Sequence, residues 1–190
     1  MGAFKPLLPF GDVTVAEACV KALRAGGAGR GVVVVVGYRG AEVCAALAHL
    51  EGLSFAVNEV AGSEMGVSVA RGVELVSEEA EAVLITPVDQ PAVPAEEIAN
   101  LIEARRRTGA RLVLPEWEGR GGHPLLVDLS LREELSSVVP ARGLRALFDA
   151  HRAEVLRVPA GSPYVARDMD TWEDYLALHT EVFGTMPEGK

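Results

Sequence analysis

The 190-residue chain has a formal net charge of −9 and a hydrophobic fraction of 49%, which together predict one folded domain over residues 1–190. The acidic balance disfavours a nucleic-acid partner, because phosphate contacts need clustered cations and the only dense basic run is Arg105 to Arg107. The sequence has neither a secretion signal at its start nor a run long and apolar enough to enter a membrane, so we expect a cytoplasmic protein without a membrane partner.

The first eleven residues contain too much proline for regular structure, yet they are apolar for a chain terminus. We therefore expect them to pack against the rest of the fold. Lys5 is the one cation in this segment, and it either neutralises a phosphate or is simply solvated.

Further along, short apolar runs alternate with segments of helical length and pattern. Val32 to Val36 is apolar on both faces and predicts a central or nearly central strand. The other predicted strands are 54–57, 82–86, 111–114, 125–127 and 155–158. The predicted helices are 14–24, 40–50, 65–77, 94–107, 131–138, 142–150 and 171–183. This alternation predicts an α/β fold with a mainly parallel sheet, whose ligand crevice lies beyond the carboxyl ends of the strands.

Asp89 follows the predicted strand 82–86 and stands between Pro87 and Pro91, which restrict its backbone. A carboxylate held at the mouth of such a crevice suits Mg²⁺, which needs few protein ligands when it shares water and substrate phosphates. The alternative interpretation, of equal weight on spacing alone, is that Asp89 only ends the strand or caps the next turn.

Asp168 and Asp170 alternate along the chain, so both carboxylates point to one side if the segment is extended. They would then meet Asp89 across the crevice. The alternative is that Asp170 caps the helix beginning near Thr171 and that Asp168 is solvated.

His123 follows two glycines that permit close approach of a ligand, and its imidazole can donate a hydrogen bond. Neither the histidines nor Cys19 and Cys44 show a zinc-ligand spacing, and the cysteines are too few for a disulfide scaffold. The motifs of dinucleotide, P-loop and serine-hydrolase sites do not occur in the sequence.

Six segments in order resemble the nucleotidyltransferases related to MobA, most closely the molybdenum cofactor cytidylyltransferases. Together they run almost from end to end of the chain. The segments are Met1 to Pro9 (tail of the signature loop), Asn58 to Gly72, Ile85 to Val93 (a strand ending in Asp-Gln-Pro), Gly122 to Leu126 (Gly-His-Pro), Ala141 to Leu144 and Asp168 to Asp174.

The resemblance implies a Rossmann-like (GT-A-like), three-layer α/β/α nucleotidyltransferase fold. It also implies that Mg²⁺ is held by Asp89 and by Asp168 or Asp170, with Asp170 slightly preferred. Lys5 would contact phosphate, and Lys5 and Asp89 would form the catalytic pair. On the substrate side the resemblance places Asn58, Gly66, Ser68, Gln90 and His123, the last facing the acceptor.

The implied reaction transfers CMP, or another nucleoside monophosphate, from CTP or another NTP to a phosphorylated acceptor such as molybdopterin, with release of pyrophosphate. Docking to a molybdoenzyme or its chaperone is a further implied partnership. The nucleobase, the acceptor and the oligomeric state stay open.

The chain departs from the family in lacking its first strand and most of its glycine-rich loop, and in carrying Glu64, Val67 and Glu59 at positions where other residues are usual. Met1 coincides with a methionine inside the family's loop. We therefore expect a start codon placed too far downstream, with the chain as given impaired. The alternative is a degenerate, non-catalytic module that binds a nucleotide or a partner. A sugar-nucleotide pyrophosphorylase or glycosyltransferase ranks last.

Overall fold

The computed structural model describes residues 4–29, 31–60 and 62–187, so Met1 to Ala3 of the loop-like opening segment lie outside the described residues. Helices cover a sheet on both faces, which agrees with the predicted α/β class. The strands are β1 (Pro9–Phe10), β2 (Val13–Thr14), β3 (Val32–Val36), β4 (Leu53–Val57), β5 (Ala82–Ile85), β6 (Leu112–Trp117), β7 (Arg120–Gly121), β8 (Leu125–Asp128) and β9 (Val155–Pro159). The helices are α1 (Val15–Ala25), α2 (Gly40–Leu47), α3 (Met65–Glu74), α4 (Ala95–Thr108), α5 (Arg132–Ala150) and α6 (Trp172–Phe183).

Local sequence signals account for several helix ends. Thr14 accepts a hydrogen bond from the Glu17 backbone N–H and so begins α1, while Thr171 and Asp174 form a reciprocal capping box at the start of α6. Gly109 ends α4 in the left-handed conformation that glycine adopts without strain. Because Thr171 caps α6, the idea that Asp170 caps this helix is wrong.

The sheet of the described residues consists of two main pieces. In one, β3 pairs with β4 in parallel; in the other, β8 runs antiparallel between β5 and β6, and β9 pairs in parallel with β6. Within residues 4–29, 31–60 and 62–187, β3 and β5 are each hydrogen-bonded to a strand on one side only. The predicted central strand β3 is therefore at the edge of its piece.

The two pieces share one core even though their strands are not paired. Val34 of β3 and Leu84 of β5 both pack on a buried cluster under α1 and α4 that includes Val32 and Ile98. On the opposite face, α3 and α5 lie against each other and cover Val127 of β8. This arrangement gives the predicted three layers.

Several predicted boundaries are wrong. The opening segment has regular structure, since a 3-10 turn at Lys5–Leu7 precedes the small hairpin of β1 and β2. Proline fits both places, because it occupies the first positions of the turn and an edge of the hairpin. Helix α2 ends earlier than predicted, and α5 joins the two predicted helices across a kink at Gly143, whose φ of 75° is not helical.

Candidate active site

One backbone contact joins the two acidic segments. The Met169 N–H donates to the Asp89 carbonyl at 3.0 Å, which fixes the chain before α6 against the loop after β5. The Met169 side chain is fully buried beside Phe10 and Tyr175. Because side chains alternate along an extended chain, burial of Met169 turns Asp168 and Asp170 to the other side.

Asp89 carries a carboxylate oxygen with no partner. Its Oδ1 is buried and accepts no hydrogen bond from any described residue. Burial raises the pKa of Asp89, and Asp168 and Asp170 raise it further, while the Lys5 ammonium acts in the opposite direction. An unpaired buried carboxylate is costly to keep ionised, so this oxygen is suited to a cation.

Asp168 is held by Gln90, the residue next to Asp89. Gln90 is buried, with 4% of its surface exposed, and its Nε2 donates to Asp168 Oδ1 at 2.6 Å. The Gln90 amide thus positions the Asp168 carboxylate, and among the described residues its own Oε1 has no partner.

Lys5 lies at the same site and pairs with Asp170. Its Nζ is 2.8 Å from Asp170 Oδ1, with 25% of the Lys5 side chain exposed and 69% of the Asp170 side chain exposed. The 3-10 turn at Lys5–Leu7 therefore brings the N-terminal segment to the carboxyl end of β5.

His123 is tied down next to Asp168. Its backbone N–H donates to the Val165 carbonyl at 2.7 Å, and Gly122 lies so close to Val165 that an added Cβ would be 2.0 Å from the same carbonyl oxygen. Burial lowers the pKa of His123, with Asp168 opposing that shift. The imidazole is consequently neutral at physiological pH and can donate a hydrogen bond without adding charge.

Asn58 organises the loop between β4 and α3. Its Nδ2 donates to Ser63 Oγ at 2.8 Å and to Ser68 Oγ at 2.9 Å, while the Val60 N–H donates to its Oδ1. Gly66 lies buried in the first turn of α3. The structure does not place Asn58, Gly66 or Ser68 in contact with the aspartates; they shape a loop on the β3–β4 side.

Two further residues near Asp89 were not singled out from the sequence. Met169 anchors the acidic segment, and an apolar residue between two aspartates is the pattern that indicates it. Cys19 lies under the loop, with its Sγ 3.7 Å from the Val88 carbonyl oxygen. Burial, followed by the charge of Asp89, raises the pKa of this thiol to about 12, so it stays protonated and is no nucleophile.

The residues fit a divalent cation that shares its coordination with substrate. In the described part of the chain, no three His, Cys, Asp or Glu side chains form a group that could hold a metal ion by itself. Magnesium and similar hard cations need only one or two carboxylates when water and phosphate oxygens complete the shell. The unpartnered Asp89 oxygen beside Asp168 and Asp170 matches that requirement.

A cavity of about 410 Å³ lies elsewhere, at the opposite end of β5. Its Arg105 is already paired with Asp128 at 2.5 Å, and its Arg132 donates to the Val73 and Val76 carbonyls at the end of α3. These arginines therefore hold elements together at this end of the sheet.

The profile of the MobA-like NTP transferase domain matches residues 1–155. Among solved structures, the Rv0371c homologue from Mycobacterium sp. strain JC1 is 28% identical, with a TM-score of 0.82 over 96% of this chain and 89% of that one. Rv0371c from Mycobacterium tuberculosis in complex with manganese is 26% identical, with a TM-score of 0.79 over 93% of this chain and 92% of that one. A nucleotidyl transferase from Methanothermobacter thermautotrophicus is 25% identical, with a TM-score of 0.78 over 94% of this chain and 85% of that one.

No curated protein matches the chain. None of the helices in the described residues combines the length and the apolar character needed to cross a membrane.

Proposed function

Because the chain belongs to the MobA-like NTP transferase domain family, we propose that it transfers a nucleoside monophosphate from an NTP, with CTP preferred, to a phosphorylated acceptor of the molybdopterin type. The observation that supports this activity is the convergence of Asp89, Asp168 and Asp170 beside Lys5 at the end of β5. Carboxylates and an ammonium are the groups that phosphoryl chemistry requires.

In the proposed reaction an acceptor phosphate oxygen attacks the α-phosphorus of the nucleotide. A new phosphorus–oxygen bond forms, the bond to the β-phosphate breaks, and pyrophosphate leaves with the electron pair. A bound Mg²⁺ or Mn²⁺ would polarise phosphate oxygens and offset developing charge. No protein nucleophile takes part, which agrees with the protonated Cys19 thiol.

The chain's own residues divide this work. Asp89 and Asp170 would hold the cation, and Gln90 keeps Asp168 aligned next to them. Lys5 would contact nucleotide phosphates. On the acceptor side of the site, His123 would donate a hydrogen bond to the acceptor as a neutral imidazole. Asn58, with Gly66 and Ser68, would shape the nucleotide or acceptor side through the loop before α3.

The test is pyrophosphate release from CTP, ATP, GTP and UTP in turn, with Mg²⁺ and with molybdopterin or molybdenum cofactor as acceptor. We expect CTP to be turned over fastest and Asp89→Asn to lower kcat by about 100-fold or more. Asp149→Asn is the matched control, because Asp149 is a half-exposed carboxylate on α5 that pairs with Arg152 in the turn after that helix. Full activity of Asp89→Asn would refute the metal role.

The interrupted sheet favours a second candidate, a module that binds a nucleotide without turnover. One edge of β3 and one of β5 lack a strand among the described residues, and the four residues of β5 are only half-buried although all are apolar. A sheet left open at this place would give a weaker support for the site, which favours binding over turnover. The assay is therefore run on the 190-residue chain and on the chain extended upstream in frame. CTP binding without pyrophosphate release from either form would support the module.

A further inference from the structure

Asp170 has a cationic partner within the fold itself. Its Oδ1 lies 2.8 Å from the Lys5 ammonium; the Lys5 side chain is three-quarters buried as a whole, whereas the Asp170 side chain and the hydrogen bond itself are exposed. The pair is thus a specific contact of the N-terminal turn with the acidic segment.

The charges around this pair are unbalanced. Asp89, Asp168 and Asp170 contribute three carboxylates, and among the described residues Lys5 is the cation whose charge opposes the rise in the pKa of Asp89. The neighbouring Arg167 turns away and pairs with Glu181, and Arg39 lies over the Phe4 ring while it pairs with Glu42. Within the part of the chain that the structure describes, Lys5 is therefore the cation that offsets the mutual repulsion of the aspartates.

We propose that Lys5 is a stand-in for the divalent cation: it pairs with Asp170 while the site is metal-free, and metal binding displaces it. An ammonium and a divalent cation that share one carboxylate repel each other, so each weakens the binding of the other. This inference rests on the proposed function, because it assumes that Asp170 is a metal ligand.

The exchange links the cation to the nucleotide. Once displaced from Asp170, the Lys5 ammonium is free to pair with nucleotide phosphates, and those phosphates also complete the shell of the cation. Metal and nucleotide then reinforce each other's binding. The metal releases Lys5 from Asp170 so that Lys5 can bind phosphate, and the phosphate draws Lys5 away from Asp170 so that Asp170 can bind the metal. Lys5 is a positioning and gating residue in the metal-free protein and a phosphate contact afterwards.

The first test uses the unaltered protein without nucleotide. Lys5 and Lys21 are acetylated by a brief pulse of an amine-reactive reagent, with and without Mg²⁺, and quantified by peptide mass spectrometry. Lys21 is the internal control, because it also pairs with a carboxylate, Glu17 at 2.9 Å, but on α1. We expect Mg²⁺ to raise the Lys5 rate by about threefold or more and to leave Lys21 unchanged. An unchanged or lower Lys5 rate would overturn the proposal.

The second test measures the Mn²⁺ dissociation constant by calorimetry, again without nucleotide. Lys5→Met is expected to lower it by about tenfold, since the repelling charge is gone. Arg167→Gln is the matched control. It removes a cation that is adjacent to Asp168 in the chain but is paired with Glu181 and not with the aspartates. Weaker or unchanged binding by Lys5→Met, or equal tightening by Arg167→Gln, contradicts displacement.

These results are separable from those of the transferase assay. Mg²⁺-dependent pyrophosphate release without any change in Lys5 labelling would leave the proposed function standing and remove the displacement. Tighter Mn²⁺ binding by Lys5→Met without pyrophosphate release from any NTP would support the displacement and refute the proposed transferase function.

Discussion

At the scale of single residues, Asp89 stands out because one of its two carboxylate oxygens is buried without a partner among the described residues. Its Oδ1 is buried without a hydrogen bond from the described residues, and Asp168 and Asp170 add to the electrostatic cost. Groups kept in such a state destabilise a fold and are typical of functional sites.

Asp89→Asn is accordingly expected to stabilise the metal-free protein. Removing one charge from three neighbouring carboxylates should raise the free energy of unfolding by roughly 1 kcal/mol, or Tm by about 2–4 °C. Thermal unfolding in EDTA measures the change, with Asp149→Asn as the control. A lower Tm for Asp89→Asn would show that the carboxylate serves the fold instead.

Gly122 illustrates a close approach that supports the site. A Cβ at this position would meet the Val165 carbonyl oxygen at 2.0 Å, and both segments are fixed by backbone hydrogen bonds. Gly122→Ala should therefore destabilise the fold by about 3 kcal/mol or more. Gly31→Ala is the control, because a Cβ there meets nothing within 4 Å. Denaturant unfolding compares the two, and equal stabilities would contradict the packing.

Sequence patterns at this scale predicted more about residue types than about partners. The proline-bracketed Asp89 and the alternating Asp168 and Asp170 were visible as candidates. The contact of Lys5 with Asp170 was not, because it joins positions 165 residues apart and depends on a turn that proline content had argued against. Likewise, no spacing rule predicts that Gln90 holds Asp168.

At the scale of elements, His151 joins three segments next to β6 and β9. Its Nε2 lies 3.0 Å from Glu134 on α5, and its Nδ1 lies 3.2 Å from both Glu154 and Arg111. The two glutamates raise the pKa of His151. Protonated His151 therefore ties the start of α5 to the turn before β9.

The stability that His151 contributes should depend on pH. Because its pKa is higher in the folded state, the contribution is complete below the unfolded pKa and disappears as pH rises through the folded one. His151→Gln should cost no more than about 1 kcal/mol at about pH 5.5 and close to nothing at about pH 9, since the glutamates are partly exposed.

Unfolding by urea at the two pH values measures this difference. His49→Gln is the control, because His49 is 57% exposed and contacts one carboxylate, Glu17 at 3.3 Å. A cost for His151→Gln that grows with pH would reverse the assignment.

Elements were predicted well where the hydrophobic periodicity is strong, and poorly where a neighbouring strand determines the direction or pairing of a strand. Helices α1, α4 and α6 begin and end within one residue of the predicted boundaries, because the residues that cap them are part of the local sequence. The antiparallel direction of β8 and the hairpin of β1 and β2 were not predicted. Strand direction depends on the neighbouring strands, and a short apolar run has the same sequence pattern in either direction.

At the scale of the whole molecule, strands β4 and β5 belong to different pieces of the sheet, and each ends at a segment that carries candidate site residues. The acidic groups and Lys5 lie at the end of β5, and the Asn58 loop follows β4. The family relationship indicates nucleotide chemistry for such a crevice, and the three carboxylates beside it would repel a polyphosphate that arrives without a cation.

Metal-dependent binding of CTP tests the central claim most directly, because it needs no acceptor. Calorimetric titration of the wild-type chain with CTP should show binding in the presence of Mg²⁺ or Mn²⁺ and none in EDTA. Asp89→Asn should weaken that binding by about tenfold or more. CTP binding that is equally strong without metal, or unchanged by Asp89→Asn, would contradict a metal site at Asp89 and the nucleotidyl transfer proposed from it.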